Sequence, residues 1–128
     1  MKYLLLSYTP IAEWDSSVAD TPSPEALAAF AMYEKFHAEL MASGELVATD
    51  GLGHPSMSRT LRKQADAVVV TDGPFAELKE VLASYAVIEC SGYDRAVEIA
   101  RQVVAAIGDT VEIRPIMGED FGESPAQT

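Results

Sequence analysis

Apolar side chains alternate from the first residues of the chain. Tyr3, Leu5 and Ser7 fall on one side of an extended backbone and Leu4, Leu6 and Tyr8 on the other. This predicts a strand over Lys2–Tyr8 with both faces covered. A loop rich in Pro, Ser and Asp follows from Thr9 to Pro24 and holds Trp14. The spacing then changes to three and four. Leu27, Phe30, Met32, Tyr33, Phe36, Leu40 and Met41 mark an amphipathic helix. Ser23 is placed to cap it, Pro24 suits the first helical position, Glu25 complements the positive end of the helix dipole, and Gly44 ends it. Glu45–Thr49 then predicts a short strand, and the loop Asp50–Ser56 carries two glycines, His54 and Pro55.

Met57–Lys63 and Ala67–Thr71 form two extended runs joined by a polar turn, the pattern of a hairpin. Ala83–Cys90 alternates Tyr85, Val87 and Glu89 against Ala86, Ile88 and Cys90. A second helix follows, with Ser91 and Asp94 at capping-box spacing and an apolar stripe of Ala96, Val97, Ala100, Val103, Val104 and Ile107. Gly108 ends it, and Thr110–Ile116 alternates as a last strand. Residues 1–117 thus read as a single domain, and residues 118–128 as an acidic tail.

The order β-α-β, hairpin, β-α-β is the split pattern of an α+β, ferredoxin-like antiparallel sheet with two helices on one face. The other face would carry Tyr85 and Val87 beside Glu89, Glu112 and Arg114. A half-apolar open face predicts a homodimer with facing sheets.

Composition narrows the function classes. At 128 residues the chain has the size of one domain, and 48% apolar content excludes wholesale disorder. No apolar run approaches the ~18 residues of a membrane span. The start MKYLLLSYTP has too short an apolar run for a secretory signal. A cytoplasmic location and no membrane partner are therefore expected. Twenty acidic against nine basic residues give a net charge of −11, which disfavours nucleic acid and anionic lipid. Cys90 is the single cysteine, so no internal disulfide can form and a Cys-based zinc site is excluded. Its apolar surroundings in sequence predict an inert thiol.

The densest chemistry lies in VVVTDGPFAELKE, Val68 to Glu80. Asp72 reads first as a turn residue, accepting hydrogen bonds from backbone N–H groups two or three positions on. In that reading Gly73 takes an unusual φ and Pro74 fixes the exit; Asp72 could equally cap a short helix over Pro74–Val81. Its functional reading is a carboxylate at a cleft edge, acting as general base or orienting one. Glu77 and Glu80 would share a helix face that is solvated, with no metal expected. His37 and His54 are the two imidazoles, ready to exchange protons near neutral pH. Arg59, Arg62 and Arg114 are expected to pair with nearby carboxylates, or else to meet an anionic ligand. Tyr3, Tyr8, Trp14 and Tyr85 would line a cleft if their strands are neighbours. Gly51 and Gly53 lack the spacing of a phosphate loop.

Val70-Thr71-Asp72-Gly73-Pro74-Phe75-Ala76-Glu77 followed by Lys79-Glu80 resembles the signature of DGPF-domain proteins, a branch of the YCII-related family. The opening Met1-Lys2-Tyr3-Leu4-Leu5-Leu6, the helix end from Phe36 to Gly44, Glu98-Ile99-Ala100 and Val111-Glu112-Ile113-Arg114-Pro115-Ile116 extend the likeness over most of the chain. The resemblance implies a dimeric α/β-barrel of ferredoxin-like units. It implies little about activity, although such proteins are often suspected enzymes because a His and an Asp line a cleft. DGPF proteins are also often encoded beside, or fused to, extracytoplasmic-function sigma factors, which implies a regulatory partner. Two positions depart from the pattern. Tyr33 stands where many relatives carry a helix His, and Ala83-Ser84 stand where a Gly-Gly pair is common.

These readings converge on a small-molecule binder with its cleft in a homodimer, in a regulatory role. Tyr8, Tyr33, His37, Phe75 and Tyr85 are the expected ligand-binding groups. The alternative is a cofactor-independent enzyme using Asp72 and His54 as acid–base pair. No cofactor is expected in either case.

Overall fold

The computed structural model describes residues 1–12, 24–75 and 79–118. The alternation at the N-terminus builds a central strand, β1 (Lys2–Pro10). It is followed by α1 (Pro24–Ser43), β2 (Leu46–Gly51), a 3-10 turn at Pro55–Met57, and the hairpin β3 (Arg59–Gln64) and β4 (Ala67–Asp72). β5 (Glu80–Glu89), α2 (Tyr93–Ile107) and β6 (Thr110–Pro115) complete the described order. The main sheet runs β2-β5-β1-β6 with every pair antiparallel, the ferredoxin-like arrangement, and the hairpin forms a separate two-stranded sheet.

Register decides which side chains become core. Tyr3 faces Ile88 and Pro115, and Leu5 faces Ala86 and Ile113. These positions share one face, where Tyr3, Leu5 and Ile88 are buried. Both helices pack on that face: α2 contributes Ala96, Ile99 and Ala100, and α1 contributes Leu40. The alanines let the α2 backbone come close to the sheet. Tyr93 meets Tyr3 edge to face, with ring centroids 5.4 Å apart, and its hydroxyl donates to the Ile113 carbonyl at 3.4 Å. A buried tyrosine ring is thereby packed and its neighbour's hydroxyl satisfied.

The opposite face carries Leu4, Leu6, Tyr85 and Val87, with Glu89, Glu112 and Arg114, as the alternation predicts. Its charges pair locally, Lys2 with Glu89 at 4.0 Å and Arg114 with Glu112 at 3.7 Å. The Tyr85 hydroxyl donates to Asp50 at 2.9 Å. Leu4, Leu6 and Val87 on this face are half-buried.

Several expectations are corrected. The apolar stripe of α1 does not all reach the core. Leu40 is buried and Phe36 packs against it, but Leu27 is 56% exposed, Phe30 55%, Met32 68% and Met41 60%. Apolar residues surround this helix rather than keeping to one side, and a single sheet face can bury only a stripe. β5 starts at Glu80, three residues before the predicted strand, with Glu80 paired to Pro10. Glu80 and Val81 are therefore strand, and no helix runs from Pro74 through Val81; residues 76–78 lie outside the described residues. β1 likewise runs on to Pro10, and β2 runs on to Gly51. The predicted capping box is absent: α2 begins after Gly92 with no side-chain cap, and Asp94 lies in its first turn. There it complements the helix dipole without the cap hydrogen bond. Ser23 and Trp14 lie outside the described residues.

Candidate functional site

The β1–β5 ladder slips near its end. Ser7 faces Ser84, but Tyr8 faces Leu82, so Ala83 is the extra residue of a bulge. A bulge re-aims the side chains beyond it, and a cavity of about 630 Å³ opens at this end of the sheet. β1 contributes Tyr8 and β5 contributes Glu80, Val81 and Leu82. Leu52–Pro55, Met57 and Ser58 come from the connection after β2, and Pro74 and Phe75 from the turn after β4. The Leu52 amide donates to the Ala83 carbonyl and the Gly73 amide to the Ser58 carbonyl, at 2.8 and 2.7 Å, so both walls are tied down by backbone hydrogen bonds.

His54 precedes the 3-10 turn. Its Nδ1 accepts the Ser56 amide at 3.2 Å and lies 2.9 Å from Ser56 Oγ. With Nδ1 accepting, the neutral ring carries its proton on Nε2. The Tyr8 hydroxyl donates to Glu112 Oε1 at 3.3 Å. Desolvation raises the pKa of Tyr8 above the ordinary tyrosine value, and Glu112 adds to this, so the phenol keeps its proton at neutral pH. The Ser58 hydroxyl donates to the Pro55 carbonyl, and Thr110 Oγ1 donates to Glu80 Oε1 at 3.5 Å.

The Asp72-Gly73-Pro74-Phe75 turn divides its work. Gly73 has φ +97°, in the left-handed region, and its carbonyl accepts Thr60 Oγ1 at 2.8 Å. Phe75 forms cavity wall, with the Arg62 guanidinium 5.1 Å over its ring. Asp72 lies outside that wall. It ends β4 opposite Arg59, and its exposed carboxylate meets Arg59 Nε at 3.7 Å. The turn carboxylate thus has a cross-strand partner. Arg59 and Arg114 pair with acids as expected, whereas Arg62 takes an aromatic ring.

The cavity therefore unites Tyr8, His54 and Phe75 among the predicted site residues. Tyr33 and His37 lie elsewhere, in a shallow groove on α1 with Phe30 and Glu34, their rings 6.2 Å apart. Burial pushes the Tyr33 phenol above its ordinary pKa. Tyr85 stands on the open sheet face, where its hydrogen bond to Asp50 raises its pKa. Tyr3 is core, not cleft. Cys90 has its thiol pKa raised by burial and makes a contact to the Gly92 carbonyl at 3.4 Å. Among the described residues no three His, Cys, Asp or Glu side chains gather as a metal ion would require.

Ser58, Met57 and Leu52 are wall residues with no individual signal in the sequence, and Glu80, expected on a solvated helix face, is strand and cavity wall. The alternating Glu80-Val81-Leu82 run was the available signal for Glu80, masked by a segment of helical spacing before it.

The YCII-related domain, as a family pattern, matches residues 1–120. The chain belongs to the YCII-related family. It is also 36% identical over 86 residues to the uncharacterized protein R00369 of Rhizobium meliloti (strain 1021), covering 66% of this chain and 69% of that protein. The family match spans nearly the whole chain, with the Asp72–Phe75 turn inside it. In this YCII-related chain the motif's aromatic end faces the cavity and its acidic end faces Arg59. No described helix is long and apolar enough to cross a membrane.

Proposed function

We propose that this YCII-related protein binds a small, largely apolar molecule in the cavity beside Tyr8, His54 and Phe75. In this reading it acts as a homodimer with facing sheets, in a regulatory rather than catalytic role. The observation that carries the reading is the cavity itself. Its volume of about 630 Å³ lies in the range of small-molecule sites, and Leu52, Pro55, Met57, Phe75 and Leu82 surround a few polar groups. The position of Asp72 supports binding over acid–base chemistry, because its carboxylate meets Arg59 outside the cavity wall.

The test is a fragment screen by protein NMR on the full chain, repeated on Phe75→Ala and Asp72→Asn. Binders are expected to shift the amides of residues 52–58. Phe75→Ala should weaken them roughly tenfold through lost apolar contact, and Asp72→Asn should leave affinity unchanged. Binders that perturb only residues elsewhere would remove the reading. A fragment that is chemically converted by wild type but not by Asp72→Asn would replace it with catalysis.

A further inference from the structure

Hydrogen-bond direction around the cavity restricts what can enter it. Three of the four polar side chains of the described wall, His54 being the fourth, have no hydrogen left to give. The Tyr8 hydroxyl donates to Glu112, the Ser58 hydroxyl donates to the Pro55 carbonyl, and the Glu80 carboxylate accepts from Thr110. What they still offer a ligand is lone pairs. Charge points the same way. Glu80 is a carboxylate in the wall, Glu112 stands behind Tyr8, and no Lys or Arg lies among the described wall residues. The chain as a whole carries −11. Arg62 lies over the Phe75 ring but is not part of the wall. His54 is the one described wall side chain that carries an N–H, its Nδ1 accepting the Ser56 amide. But an entering carboxylate or phosphate would also face the Glu80 carboxylate and the hydroxyl lone pairs, which oppose its loss of hydration. An ammonium would meet acceptors, a counter-charge and the apolar surface of Met57, Leu82 and Phe75.

We infer that the cavity selects an amine carried on an apolar, ring-sized body, and discriminates against anions of the same shape. This rests on the small-molecule reading above and names the ligand class for that site. The neutral alcohol of the same shape belongs between the two, since its hydroxyl can donate but brings no charge.

Three shape-matched probes test it on the full-length chain: 2-naphthylmethylamine, 2-naphthylmethanol and 2-naphthoate, each titrated while the amides of residues 52–58 are followed by NMR. The amine is expected to bind roughly fivefold to tenfold more tightly than the naphthoate, with the alcohol intermediate. Glu80→Gln should bring the amine's affinity down to that of the alcohol measured on the same variant. Glu80 is exposed at the start of β5, so the substitution leaves the core intact. Naphthoate binding as tightly as the amine, or an amine advantage that persists in Glu80→Gln, overturns the ligand class while the cavity remains a binding site. Failure of all three probes to move residues 52–58 removes the small-molecule reading and this inference with it.

Discussion

Glu45 is the residue on which the two helices are joined. It sits between α1 and β2, and its carbonyl accepts the Glu89 amide at 2.8 Å. Its carboxylate takes Arg95 Nε and Nη2 of α2, both at 2.8 Å, and also the Ser43 hydroxyl at 3.1 Å. Arg95 reaches Glu98 with its remaining nitrogen at 3.0 Å. The Arg95 hydrogen bonds hold the Glu45 carboxyl below the ordinary glutamate value, against a smaller opposing effect of desolvation. A folded-state pKa below the unfolded one contributes stability that is present above the unfolded pKa. It is lost as pH falls through the folded value. Urea denaturation should therefore show Glu45→Gln less stable than wild type by about 1–2 kcal/mol at pH 7, from the lost charge-assisted pair. Below roughly pH 4, where glutamate begins to protonate, the gap should narrow. A gap of equal size at pH 7 and pH 3 would show that the ion pair is not its source. The sequence did not announce this pair, because the partners lie fifty positions apart and no periodicity links them.

The elements that could be read from the chain are those whose pattern answers to one surface. β1, β3, β4, β6 and α2 were legible because each keeps a single period along its length. α1 was legible as a helix but not in its burial, since apolar groups all round its circumference do not say which side meets the sheet. The start of β5 was hidden because Pro74 and the charges after it mimic a helix start. Of the cavity, Tyr8, His54 and Phe75 were legible as chemistry in or near loops. Their meeting was not, because a bulge and the return of β5 bring together segments distant in sequence. The hairpin allows a paired test of its two special backbone positions. Ala65 has φ +54° in the tight turn between β3 and β4, and Gly73 has φ +97° after β4. The left-handed region costs an alanine about 1 kcal/mol more than a glycine. Ala65→Gly should therefore stabilise the chain by about 0.5–1 kcal/mol, and Gly73→Ala should destabilise it by about 1 kcal/mol or more. Thermal denaturation of both variants checks the opposite signs; two shifts in the same direction would sink the account.

At the scale of the whole molecule, two surfaces carry exposed or half-buried apolar side chains. One is the open sheet face, where Leu4 lies opposite Val87 and Leu6 opposite Tyr85. The other is the hairpin face, where Leu61, Val68 and Val70 are 62%, 66% and 56% exposed. A second copy placed sheet to sheet would cover the first, with the local pairs Lys2–Glu89 and Arg114–Glu112 limiting the cost of enclosing charge. Sedimentation of the wild-type chain at micromolar concentration should then give the mass of a dimer. Val87→Lys, in register with Leu4 and Ala48, would place a new cation from each copy in the interface and should yield a folded monomer. Wild type sedimenting as a monomer removes the dimer. A Val87→Lys dimer instead moves the contact to the hairpin face. The cavity and the proposed interface share an edge, because the Tyr8 hydroxyl in the wall reaches Glu112 on the open face. Monomeric Val87→Lys should accordingly bind apolar ligands more weakly than wild type, although Val87 does not line the cavity. Undiminished affinity in the monomer would mean that one copy builds the whole site.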